Sequence, residues 1–184
     1  MALITVVGLG VLSLLCCVGT AAAMVVPGMM RPPRSTQSEV KSNLKYAYTA
    51  ERAYFAEKDE YSDEIEKVGF VPERGNRYLY VVKPGGDVLI PGGPAGAHGL
   101  VAVDPAKDPS ALTTAYLAAI PPALLAEAGV HGKCPDDCYV TVIAVGNADK
   151  DSDLDVWSIS TQNRTFGGES VPAGQPFNHL DDLR

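Results

Sequence analysis

The sequence predicts an α+β protein in which a long N-terminal helix, apolar first and amphipathic afterwards, lies on a small antiparallel β-sheet. Three observations carry that reading. Ala2–Met30 contains no charged side chain, and the first charge is Arg31. From about Thr36 to Glu60, Val40, Leu44, Tyr48 and Phe55 recur close to one stripe at helical spacing. Beyond Gly69, short β-branched and aromatic runs are punctuated by Gly, Pro and Asn.

The 184 residues suit one domain and are too few for two full-sized ones. All 15 Lys+Arg and 22 Asp+Glu fall after Met30, and the net charge is −7. An acidic body of this kind lacks the basic footprint that nucleic acid or an anionic surface requires, so nucleic acid is excluded as a partner.

Ala2–Met30 exceeds the ~20 residues a helix needs to cross a bilayer, and Gly8, Gly10 and Gly19 suit a membrane helix. The residues predict a retained membrane span with membrane lipid as its first partner. Two other readings stand beside it. Ala21-Ala22-Ala23 offers a secretory cleavage site, and Cys16 or Cys17 could belong to a lipoprotein signal, although Leu14-Leu15 do not suit one. The prolines Pro32-Pro33 then predict a break between the membrane half and the amphipathic half. The expected division is 1–30 for the membrane helix, 31–62 for the stalk helix and 63–184 for a globular head.

In the head, Arg77–Lys83 reads as a strand with Asp87–Ile90 as its hairpin partner, and Pro91–Gly99 as a flexible loop. Gly99–Val103 follows as a further strand. Pro109–Ala119 and Pro122–Gly129 read as short helices, with Pro near each start. Tyr139–Val145 and Leu154–Ser160 are strands separated by a turn-rich acidic loop, which predicts an antiparallel pair with Trp157 in the core. A small sheet needs one apolar face covered, and the stripe Val40, Leu44, Tyr48 and Phe55 is the available cover.

The stretch Gln37–Ser62 (QSEVKSNLKYAYTAERAYFAEKDEYS) resembles the helix of bacterial type IV pilins, of the myxobacterial kind in particular. Val26-Pro27 followed by Met29 and Met30 is similar to that family's Ile-Pro-Asn-Phe step, in the same register. Gly146-Asn147 and Asp155–Ile159 are similar to its last strands. The processing motif departs from the pattern: Thr5, Val6 and Gly10 stand where the family has Gly, Phe and Glu. The resemblance implies a structural protein and no enzyme. It would be a minor or divergent pilin or pseudopilin in the inner membrane, its head outside the cytoplasm, assembling into a surface filament. Its partners would be other pilin-like subunits and the assembly machinery of a type IV pilus or secretion system. The alternative is a non-polymerising single-pass membrane protein with a pilin-like binding head.

Two motifs in the head carry chemistry. Cys134 and Cys138 are close enough to pair in an oxidising compartment; the other reading is zinc, with His131 as a third ligand. Asn147, Asp149, Asp151, Asp153 and Asp155 place oxygen side chains at alternate positions, a pattern that suits a hard cation such as calcium. It is not an EF-hand, since Leu154 replaces the required Gly. The bland reading of the same residues is a solvated Asp-rich hairpin loop, in which Asp and Asn cap turns. His98, His131 and His179 stand in no catalytic motif, and no cofactor is predicted beyond that calcium.

Overall fold

The computed structural model describes residues 33–107, 113–149 and 153–181, with side chains from Thr36 onward. The apolar segment Ala2–Met30, Thr5, Val6, Gly10, Cys16, Cys17, Pro32 and the Pro32-Pro33 break therefore lie outside the described residues. No helix among the described residues is long and apolar enough to cross a membrane.

Helix α1 runs from Pro33 to Lys58. Its sequence is rich in Ala, Lys and Glu, all good helix formers, and proline at the first helical position costs no hydrogen bond. Asp59 ends it with a left-handed φ of 56° while its N–H still bonds to Phe55 O at 2.9 Å. The chain then doubles back into the single turn α2 (Ile65–Val68), which stops at Gly69. There φ is 74°, a conformation that favours glycine, and the N–H of Gly69 satisfies carbonyls of that turn.

Nine strands follow among the described residues: β1 (Tyr78–Val81), β2 (Asp87–Leu89), β3 (His98–Val101), β4 (Gly129–Lys133), β5 (Asp137–Gly146), β6 (Asp155–Ser160), β7 (Arg164–Phe166), β8 (Glu169–Val171) and β9 (Phe177–Leu180). The main sheet has the order β2-β3-β1-β5-β6-β9, with β4 also paired to β5. The long strand β5 takes two neighbours along one edge: β4 against Asp137–Thr141 and β1 against Ile143–Gly146. Its other edge takes β6, antiparallel, with Ala144 opposite Trp157. The expected pairing of these last two strands is present.

One sequence expectation is corrected. Asp87–Leu89 does not form a hairpin with β1; it pairs in parallel with β3, and β3 lies between them. The close approach of glycines permits the insertion. Gly99 O accepts from both Val82 N and Lys83 N at 2.9 Å. A Cβ on Gly99 would meet Lys83 Cβ at 2.5 Å, so only glycine fits there.

The sheet is buried on both faces. Tyr78, Tyr80, Val82, Val142, Ala144, Trp157 and Ile159 form one core with Val40, Leu44 and Ala47 of α1. Leu79, Val81, Leu100, Ile143, Val145 and Val156 form a second with Tyr116, Ile120 and Leu124. Those last residues lie on or beside α3 (Thr113–Ala119) and α4 (Pro122–Leu125), so helices cover the face opposite α1. β1 and β6 are consequently buried throughout instead of alternating.

Candidate functional site

Buried apolar and polar contacts meet along the seam between α1 and the sheet. Val40 and Leu44 are fully buried. Tyr48 is partly buried at the border of the core, where Gly174 lies so close that a Cβ there would meet the Tyr48 ring at 2.9 Å. The segment between β8 and β9 therefore rests on the stalk. Phe55 belongs to neither buried core and stacks on Tyr61, ring centroids 4.6 Å apart. The buried stripe is Val40, Leu44, Ala47 and Glu51, a 4-3-4 spacing whose last member is charged.

Polar groups line the same seam. Tyr78 donates its hydroxyl to Asp155 at 2.8 Å, and Gln37 Nε2 reaches both Asp155 oxygens at 3.2 Å. Burial and the Asp155 charge push the Tyr78 hydroxyl far above the ordinary tyrosine range. Asn43 donates to Tyr80 Oη at 2.8 Å, and Glu39 accepts from Arg77 N at 2.9 Å. Lys41 places its ammonium 4.8 Å from the centre of the Trp157 ring, a cation–π contact. These contacts fix the rotation of α1 as well as its position.

At the far end of the stripe, Glu51 is 1% exposed. One oxygen accepts from Ser62 N at 3.3 Å and the other has no partner. Burial raises its pKa to about 8, a rise that the Ser62 hydrogen bond opposes and Asp63 assists. The charge of Glu51 hides it from an apolar periodicity. The 4-3-4 spacing from Val40 is the signal that could have placed it inside.

On the opposite face, buried Arg164 donates through Nη1 to Ser158 at 2.8 Å, and Ser158 also meets His179 Nε2 at 2.7 Å. Burial, and secondarily the Arg164 charge, push His179 down to about 4, so it is neutral at neutral pH. His98 pairs with Glu66, which also accepts from Gly96 N and His98 N. The glycine-rich loop is thereby tied to α2.

Cys134 and Cys138 form a disulfide across the turn between β4 and β5, and His131 stacks on Tyr139. The closed loop is short, so replacing both cysteines by serine is expected to cost about 2 kcal/mol. Urea denaturation checks this: the difference from wild type should vanish in reductant. In the acidic loop, Asp155 is fully buried and bonded to Tyr78 and Gln37. Asn147, Asp149 and Asp153 flank residues 150–152, and Asp151 lies outside the described residues. Among the described residues no group of three or more His, Cys, Asp and Glu is placed to hold a metal ion.

Comparison with known proteins agrees with this architecture. A family model described as Type IV pilin PilA matches residues 32–87, which cover α1, α2 and β1. The chain is 31% identical over 194 residues to the Type IV major pilin protein PilA of Myxococcus xanthus (strain DK1622). That match covers 90% of this chain and 86% of the relative. A helix roofed by an antiparallel-dominated sheet, with likeness across nearly the whole length, makes this chain a member of the type IV pilin family.

Proposed function

We propose that this chain is a structural subunit of a type IV pilus, anchored by Ala2–Met30 until it joins a filament of pilin subunits. The observation that supports it most is the one-sidedness of α1. One stripe is buried on the sheet, while Lys41, Ser42, Lys45, Tyr46, Thr49, Arg52 and Ala53 remain exposed. A helix of this kind is bound to its own head on one side and open to neighbouring subunits on the other. In this reading the uncharged segment 1–30 is held by lipid first and by the corresponding segments of other copies later. Residues 31–62 are the stalk and 63–184 the head. The departures at Thr5, Val6 and Gly10 mark a divergent member. The type IV pilin family is structural, not enzymatic. Membership favours this reading over a non-polymerising membrane protein.

Shearing of intact cells tests the proposal. The chain is expected in the sheared filament fraction, still carrying its apolar segment by intact mass. Confinement to the detergent-soluble membrane fraction defeats the filament assignment. Recovery from culture supernatant with residues 1–23 removed defeats the anchor as well.

A further inference from the structure

A cavity of about 240 Å³ opens beside α1 and the turn that leads into β1, walled by Glu39, Asn43, Glu73, Arg74, Gly75 and Asn76. Asn76 is 2% exposed. Its amide nitrogen donates to Tyr78 O at 3.0 Å and to Ala102 O at 2.8 Å. Both partners are carbonyls, so the orientation of the amide is fixed. The atom left over is Oδ1, which is buried and has no partner. Such an oxygen is costly until a donor reaches it.

Two carboxylates border the same space. Glu39 uses one oxygen on Arg77 N, and Glu73 is exposed with no ion pair among the described residues. The nearest cations, Arg74 in the wall and Lys107 beside it, have a third carboxylate to balance them. The Arg74 guanidinium lies against Gly92, where a Cβ would meet Nη2 at 2.5 Å. Lys107 lies against Gly75, and Asp104 supplies a counter-charge to both cations. Two carboxylates and an amide oxygen are too few for a metal ion, and they match a nitrogen cation carrying several N–H donors.

We propose that this cavity receives the ammonium group of Lys133 from a second copy of the chain. The proposal rests on the filament reading above. An open filament requires two different, complementary patches on every copy, and β5 carries one near each end. Its Gly146 end pairs with Tyr78, two residues from Asn76. At its other end Asp137 pairs with Lys133 across the turn closed by Cys134–Cys138. At ~3.3 Å per residue, the ten residues of β5 separate the patches by roughly 30 Å. Lys133 is exposed, and its ammonium makes no ion pair among the described residues. Lys67 and Lys83 are paired with Glu64 and Asp63, Lys41 is seated on Trp157, and Lys45 and Lys58 lie on α1, the helix that itself walls the cavity.

A charge swap in the full chain tests this, read as the yield of sheared filaments from cells. Glu73→Lys and Lys133→Glu are each expected to lower the yield roughly fivefold or more through like-charge contact, and together to restore it to within about twofold. Melting of each variant in detergent, unchanged from wild type, shows that the head still folds. Single variants that assemble like wild type overturn the proposal. So does a double variant no better than either single one, or restoration of Glu73→Lys by Lys58→Glu instead. A wild-type chain that forms no filament at all defeats the filament reading, and this proposal with it. Normal filaments indifferent to the swap defeat this proposal alone.

Discussion

Replacing Leu44 by alanine is expected to destabilise the protein by about 3 kcal/mol. Leu44 is fully buried, in the core that joins α1 to Tyr80, Phe70, Val142, Ala144 and Trp157. Truncation removes apolar contact from both layers at once. The cavity it leaves sits between a helix and a sheet braced on the other side by α3 and α4, so it collapses poorly. For a domain of this size the midpoint of thermal unfolding should fall by roughly 6–12 °C, measured by circular dichroism in detergent. Phe55→Ala supplies the internal comparison. Helical periodicity assigns Phe55 to the same stripe, but its ring stacks on Tyr61 outside the core and stays partly exposed. It should cost about 1–2 kcal/mol. Equal losses from the two variants would place the sheet further along α1 than Val40 and Leu44 indicate.

That comparison shows where periodicity is informative and where it stops. Spacing at i, i+4 locates Val40 and Leu44 because the part of α1 they occupy lies over the sheet. It says nothing about how far the sheet extends, so Tyr48 becomes a border residue and Phe55 leaves the interface. The strands around Tyr139–Val145 and Leu154–Ser160 were legible because β-branched runs flanked by turn residues have few other uses. The second buried face was harder to read. Tyr116, Ile120 and Leu124 sit among prolines and alanines whose local pattern names no partner. The insertion of β3 between β1 and β2 depends on Gly99 meeting Lys83 across the sheet, a contact between residues sixteen apart that no local preference encodes. Asp155 looked like one of five alternating oxygens in an acidic loop. Its neighbour Tyr78, far away in sequence, turns it into a buried acceptor.

The stability of wild type should fall as pH rises from about 4.5 to about 8, and Glu51→Gln should remove that fall. The Glu51 carboxyl titrates near 4.5 in the unfolded chain and near 8 in the folded one. Below 4.5 it is protonated in both states and contributes no pH dependence. Between the two values the unfolded chain releases the proton that the folded chain keeps, so stability drops by up to 1.36 kcal/mol per pH unit. Above 8 both states are ionised and the slope from this group vanishes. The full span corresponds to a loss of at most about 5 kcal/mol, which relaxation or entering water would reduce. Glutamine keeps the size of the side chain and an oxygen for Ser62 N while removing the charge. The two proteins should therefore melt alike at pH 4, and the variant should melt higher at pH 9. Parallel melting profiles from pH 4 to 9 would show that the carboxylate finds solvent or a cation where the fold shows an unpartnered oxygen. The segment held by Glu51 is the chain reversal after α1, where Tyr61 and Ser62 are pressed back on the helix. Ionisation should loosen that reversal first, and backbone hydrogen exchange at Ser62 should rise with pH faster than exchange in β5.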